Sequence, residues 1–321
     1  MPEVSVVVPT HNRANMLSLT LRSILRQRDV DFEILVVDDG SSDNTAEVVA
    51  KFGDARLRIL RNEVPQRVSA ARNRGAAAAR GEWVAFVDDD DLWAPNKLCL
   101  QLAAARSTGR TWVYTGAVSV DDSLTILSGA PPPTPEVVVE VISRYNAVPG
   151  GGSNVMARRD ALETAGPFDT RLRNTEDWEM WIRLTKLGAP AWVPQPLMAY
   201  RVHDANASLD VAQVLAGAAL IERTHGTRAD YGLLHRWFAE SYLRMGHRSD
   251  ALRHLGLAAL KGQARNVTGD LVAIGRRRVL RAFPSFGAQS GRRADRRSNW
   301  DSRARPWLDE LAATAAGPSS P

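Results

Sequence analysis

Cysteine is all but missing from this 321-residue chain: Cys99 stands alone, which excludes an internal disulfide framework and any multi-cysteine zinc site. No apolar run reaches the roughly 18–20 residues needed to cross a bilayer. Ahead of its first apolar run the chain carries Glu3 rather than a basic stretch, so the amino terminus reads as a short strand and not a secretory leader. The expected compartment is the cytoplasm. Two phosphate cradles are missing as well. No G-x-G-x-x-G follows the first strand and no G-x-x-x-x-G-K-[ST] occurs anywhere, which disfavours dinucleotide and P-loop binding. Nor does a Ser-His-Asp or Cys-His nucleophile stand out.

What is present is a globular composition, 44% hydrophobic and 24% charged, with enough apolar material for a sizeable core. The net charge of +5 is uneven: residues 206–321 hold 18 basic against 10 acidic side chains, and residues 1–205 hold 23 against 26. Nearly all the basic residues are arginine. Without aromatic interleaving or a known motif, this basic third is not expected to bind nucleic acid. Contact with anionic lipid headgroups would suit it better if the acceptor were lipid-linked.

The first two hundred residues alternate β-branched runs with helical spacing. Val4–Val8 reads as a strand buried on both faces, Phe32–Val37 as a second buried strand, Leu57–Leu60 and Trp83–Val87 as a third and a fourth, and helices fall between them. Strands separated by helices imply βαβ units and a mostly parallel sheet. After a helix near 96–107 and a strand at Trp112–Ala117, the segment to Gly152 contains Pro131–Pro133 and Gly150–Gly152. That composition predicts a mobile loop. Strands at 154–157, 192–193 and 197–202 and helices at 159–165 and 177–187 follow. Beyond residue 210 only helices are expected, at 211–223, 233–245 and 249–260, and the Arg-, Ser- and Gly-rich last forty residues read as disordered.

In an open parallel sheet, ligands bind beyond the carboxyl ends of the strands. Three strands end in chemically loaded turns: Pro9-Thr10-His11-Asn12-Arg13, Asp38-Asp39-Gly40-Ser41 and Asp88-Asp89-Asp90-Asp91. An acidic run on a loop can simply be solvated. At a strand end it gathers carboxylates whose repulsion a cation relieves, and an all-oxygen set favours Mg2+ or Mn2+ over zinc. Such an ion keeps positions open for phosphate oxygens.

The stretches VSVVVPTHNR, ILVVDDGSSDNTAEVV and ARNRGAAAARGEWVAFVDDDDLW resemble the nucleotide-binding half of family 2 glycosyltransferases of the GT-A fold. SNVMARRDALETAGPFDTRLRNTEDWEMWIRLTKLG is similar to that family's acceptor half, and YRVHDANAS to its ending. The resemblance covers about residues 3–208 and implies an α/β fold, a GT-A-type mostly parallel sheet flanked by helices; the helical region and disordered basic tail that follow it are read from spacing and composition alone. The expected divisions are 1–208, split at 117 into nucleotide and acceptor halves, then 209–282 helical and 283–321 tail.

The resemblance also implies roles. Pro9, Thr10 and Arg13 would contact the nucleobase and nearby phosphate, Asp39 the base or ribose, and Arg72 the nucleotide. Asp88 and Asp90 match the D-x-D pair, with Asp90 the leading metal ligand and Asp88 or Asp89 at ribose or metal-bound water. His203 would reach the metal or the leaving diphosphate. Asp177, in Thr175-Glu176-Asp177-Trp178, corresponds to the catalytic base; a helix N-terminal acid placed for the dipole is the alternative. Glu176 would shape the acceptor pocket and Trp178 would platform a sugar ring. The implied reaction is inverting transfer from a nucleotide diphosphate sugar to an acceptor hydroxyl, metal-dependent, on a lipid-linked or cell-surface saccharide, with peripheral contact at the inner membrane face. Two rivals remain open. A sugar-nucleotide nucleotidyltransferase would carry a Gly-rich signature after the first strand, and a non-catalytic nucleotide-sugar-binding module would not need both acidic motifs.

Overall fold

The structure, a computed structural model, describes residues 1–204, 206, 210–271 and 291–315. Its first half is built as the alternation predicts: β1 (Val4–Thr10), α1 (Ala14–Leu25), β2 (Phe32–Asp38), α2 (Thr45–Ala50), β3 (Leu57–Arg61), α3 (Arg67–Ala78) and β4 (Trp83–Phe86). β1 and β2 are buried at every position, as continuous apolar runs require. β1 lies between β2 and β4, parallel to both. The chain leaves β1 toward β2 and β3 on one side and comes back to β4 on the other. The carboxyl ends of β1 and β4 therefore flank a switch point, where a crevice opens.

The second half contributes β5 (Leu92–Trp93), α4 (Lys97–Thr108), β6 (Trp112–Val120), β7 (Ile126–Ala130), α5 (Pro135–Val141), β8 (Met156–Arg158), α6 (Arg159–Ala165), α7 (Glu176–Leu187) and β9 (Ala191–Arg201). The sheet continues from β4 in the order β8, β6, β9, β5, with β7 on β6. β8 runs antiparallel to β4 and β6, while β6 and β9 are parallel. The sheet is thus parallel through β1–β4 and mixed beyond. The two strands expected at 192–202 are one, whose irregular register against β6 falls near Pro194 and Pro196.

Side-chain alternation sends residues to two cores. Val6 and Val8 pack with Leu17, Leu21 and Ile24 of α1, whereas Val7 joins Ala71 of α3, Phe168 and Trp181 on the other face.

Three expectations are corrected. The segment 118–152 holds β7, α5 and the start of a 3-10 turn, Gly151–Asn154; the turn is anchored because Ser153 Oγ accepts from the Asp88 N–H at 3.0 Å and its carbonyl accepts from Trp93 Nε1 at 2.8 Å. The helical region, α8 (Val211–His225), α9 (Tyr231–Arg244) and α10 (Arg248–Ala258), is not set apart from the sheet. Val214, Ala218, Ile221, Leu234 and Phe238 share the core of Trp178 and Trp181. The expected disordered tail contains a helix, Gly291–Ala315, which buries Trp300, Trp307, Leu308 and Leu311 in the core against β7, β9 and α1. Trp300 fits because Gly116 and Gly129 leave it room: a Cβ would stand 2.2 Å and 2.8 Å from its ring. Residues 272–290 and 316–321, which include part of the expected tail, and the boundary at 208 lie outside the described residues.

Candidate functional site

The three polar turns meet at one crevice. Thr10, the last residue of β1, donates its hydroxyl to Asp89 Oδ2 at 2.7 Å. Arg13, just before α1, reaches Asp89 Oδ1 at 3.2 Å and Asp90 Oδ2 at 2.6 Å. Between them Asn12, at φ +54°, turns its side-chain carbonyl to accept the Ser42 N–H at 2.7 Å, tying the first turn to the second. In that second turn Asp38 accepts from the Ser41 N–H at 2.8 Å and pairs with Arg61. Asp39 accepts from the Arg67 N–H at 2.6 Å, both oxygens from the Gln66 N–H at 2.9 Å, and one from Asn62 Nδ2 at 2.6 Å. It thereby fixes the start of α3.

The four carboxylates after β4 divide. Asp88 accepts from Arg72 Nη2 at 2.5 Å. Asp89 and Asp90 are buried against Arg13, and His203 Nε2 lies 3.1 Å from Asp90 Oδ2. Asp91 turns away from the crevice and accepts from the Arg201 N–H at 3.1 Å. Burial and the adjacent Asp90 charge push the Asp89 carboxyl up to about 7, against the pull of Arg13. Burial works the same way on Asp90, but the His203 contact and the Arg13 charge outweigh it and hold that carboxyl below its usual range. Burial, with the Asp90 and Asp88 charges adding to it, pushes the Asp91 carboxyl well above its ordinary value.

Arg72 joins this turn to α7. Only 2% exposed, it spans Asp88 and Glu176, with Nη1 2.6 Å from Glu176 Oε1. Burial disfavours its charge, yet Asp88, Glu176 and Asp177 together hold it firmly protonated. Gly152 makes the space: a Cβ there would sit 2.4 Å from Arg72 Nη2, and one on Gly151 would sit 2.8 Å from Asp177 Oδ2. Asp177 lies in the first turn of α7, its Oδ1 accepting from the Trp178 N–H at 2.7 Å and its Oδ2 from Asn146 Nδ2 at 3.3 Å. Burial and Glu176 push its carboxyl up to about 7, with Arg72 opposing.

One cavity of about 1300 Å³ is lined by Pro9, Thr10, Arg13, Asp39, Arg72, Asp88, Asp89, Asp90, Glu176 and Asp177. His203 contacts Asp90 from behind that wall. Trp178, expected as a sugar platform, is among the residues that line the cavity but is only 2% exposed, and its indole N–H donates to the Ile142 carbonyl at 2.6 Å. The loop of Gly150–Gly152, within the segment expected to be mobile, packs closely against Asp177 and Arg72.

Among the described residues no three His, Cys, Asp or Glu side chains are already arranged as a metal cage. The donors at hand, Asp90 with His203 beside it and Asp89 and Asp88 next in line, suit an ion such as Mg2+ or Mn2+. Such an ion is held by one or two carboxylates and completed by water and substrate phosphate. Residues that sequence reasoning missed are Asn146 on Asp177, Ser153 under Asp88, and Arg201, which donates to the Asp90 carbonyl and to Met16 O. Only three-dimensional closure of the sheet brings them in, since each lies tens of residues from its partner.

The family model for Glycosyl transferase family 2 matches residues 5–166. The UDP-Glc:alpha-D-GlcNAc-diphosphoundecaprenol beta-1,3-glucosyltransferase WfgD of Escherichia coli is 30% identical over 183 residues, 57% of this chain and 70% of that protein. The amylovoran biosynthesis glycosyltransferase AmsB of Erwinia amylovora is 29% identical over 210 residues, 62% of this chain and 69% of its own. Among solved structures, S. aureus TarS 1-349 in complex with UDP-GlcNAc superimposes with a TM-score of 0.56 at 19% identity, covering 81% of each chain. The mannosyltransferase PcManGT from Pyrobaculum calidifontis, in complex with GDP-Man and Mn2+, gives 0.54 at 19% identity over 99% of this chain and 88% of its own.

Proposed function

The chain belongs to glycosyl transferase family 2, and we propose that it transfers a sugar from a nucleotide diphosphate donor to an acceptor hydroxyl with inversion at the anomeric carbon. The observation that carries this reading is the shared cavity: the Asp88–Asp90 turn and Asp177 face one space, bridged by Arg72.

Pro9, Thr10 and Asp39 edge the end of the cavity assigned to base and ribose, and Arg13 is placed to meet phosphate there. Asp90, with Asp88 or Asp89 and His203, is the set that would hold Mg2+ or Mn2+. When bound, such a cation supplies Lewis-acid neutralisation of charge growing on the departing diphosphate. Asp177 takes the proton of the attacking hydroxyl, a role worth about 10²–10⁴-fold in rate. Its raised pKa suits a base working near neutrality, and the bonds from Asn146 and the Trp178 N–H hold the carboxyl in place. Glu176 is held by Arg72, so it positions that arginine and the wall behind the acceptor rather than reaching into the reaction.

The WfgD relative is named for a UDP-glucose donor and a lipid diphosphate acceptor, and AmsB for polysaccharide biosynthesis. We extend both to this chain: a nucleoside diphosphate sugar donor, a lipid-linked saccharide acceptor, and work at the inner face of the membrane. No helix among the described residues is long and apolar enough to cross a membrane, so the lipid would be met at its surface. The test is a thermal-shift screen of UDP, GDP and dTDP with and without Mn2+ or Mg2+. One nucleotide should raise the melting temperature only with metal, and Asp90→Asn should remove that shift. Asp177→Asn should keep it while transfer disappears. No metal-assisted shift with any nucleotide would overturn the reading.

A further inference from the structure

The cavity does not end at Asp177. Past Asn146 it continues along Tyr145 to α9, where Trp237, Glu240 and Arg244 line it together with Asp270. The α9 part of this wall lies outside residues 5–166, the part that the family model matches. Trp237 is half-buried: its ring packs on Phe238 at 5.2 Å between centroids, and the remainder faces the cavity. The charges around it nearly cancel. Arg236 is paired with Asp270 at 2.9 Å, while Arg244, bonded to Ser241 Oγ at 3.0 Å, and Glu240 place one charge of each sign on the same wall. A flat apolar face, a phenol, an amide and balanced ions are the chemistry that reads an uncharged sugar ring. The C–H face stacks on the aromatic and the hydroxyls find both donors and acceptors. A wall meant for phosphate would carry an excess of cations instead.

We propose that Trp237, with Tyr145 and the α9 end, is the acceptor-saccharide subsite, so that the acceptor is recognised through an uncharged sugar ring. The subsite takes over the platform role expected of Trp178. The proposal rests on the glycosyltransferase reading, but its test does not depend on turnover. Saturation-transfer NMR on the full chain, with octyl glycosides of glucose, galactose and N-acetylglucosamine as probes, reads glycoside contact directly. At least one glycoside should give a signal that survives saturating nucleoside diphosphate. Trp237→Ala should cut that signal at least fivefold and Trp237→Phe should keep more than half of it. Neither variant should change the nucleotide-induced thermal shift. If the alanine variant loses cooperative melting, Trp237→Gln, which keeps more of the side chain than alanine but lacks the ring, carries the same readout. No signal in the natural chain, an unchanged signal in the variants, or displacement by nucleotide each overturns the subsite. A glycoside signal lost with Trp237 but no nucleotide binding would instead overturn the donor reading and leave the subsite standing.

Discussion

At the scale of single residues, the site is governed by how much charge is buried and what offsets it. The cation that opposes the rise of Asp177 is Arg72, which is shared with Asp88 and Glu176. The balance leaves its carboxyl at about 7. Only the ionised form can accept a proton, so transfer should rise with pH, with unit slope below 7, and level off above it. The same shift has a stability consequence of opposite direction. The native carboxyl holds its proton up to about 7, whereas an unfolded aspartate releases it near 4, so ionisation weakens the fold as pH rises between those values. The melting temperature of Asp177→Asn relative to the natural chain should therefore increase from pH 5 to pH 8. A pH-independent difference would place the carboxyl near its ordinary value. The acidic run itself was legible in the sequence because four adjacent carboxylates at a strand end are a rare arrangement. The assignment of each was not. Asp91 differs from Asp90 only in which way the backbone turns it, and that depends on β9 arriving alongside β5.

At the scale of elements, strands announced themselves through β-branched runs, and the βαβ alternation fixed the half of the sheet that carries the three turns. The segment 118–152 was harder to read because Pro and Gly signal breaks without saying what lies between them. β7 is set by pairing with β6, and the glycines serve close contact with Met198, Asp177 and Arg72 rather than mobility. The C-terminal helix was obscured by its Arg- and Ser-rich surroundings and by Pro306. The spacing Trp300, Ala304, Trp307, Leu308 and Leu311 is a helical stripe, and all five are buried. Both indole N–H groups are satisfied on the sheet, Trp307 at Pro196 O at 3.1 Å and Trp300 at Ala117 O at 3.3 Å. Trp300→Ala should leave a cavity beside Gly116 and Gly129 and cost about 3–5 kcal/mol, the usual range for a buried Trp truncation. Urea unfolding followed by fluorescence would measure it. A loss under 1 kcal/mol would mean that the helix is not docked on the sheet.

For the whole molecule, the resemblance reaches about residue 208, and the packing ties the helices beyond it to the cores on both faces of the sheet. On one face of the sheet Trp178, Met180 and Ile182 of α7 are covered by α8 and α9 through Val214, Ala218, Ile221, Leu234 and Phe238. On the other face the C-terminal helix closes the core over Val118, Val193 and Leu197, and Glu310 at its far end pairs with Arg26 and Arg28 after α1. Cutting at 208 would uncover both faces at once, each with large side chains that are now dry. Apolar area returned to water costs about 25 cal/mol per Å², and a domain's net stability is only about 5–15 kcal/mol, so losing several such contacts removes the margin. Residues 1–208 produced alone should therefore show no cooperative thermal transition and should bind a hydrophobic dye, while the full chain melts in one step. A fragment that melts cooperatively and shows the nucleotide shift of the full chain would establish that the donor half folds by itself and that the helices were added to it for the acceptor alone.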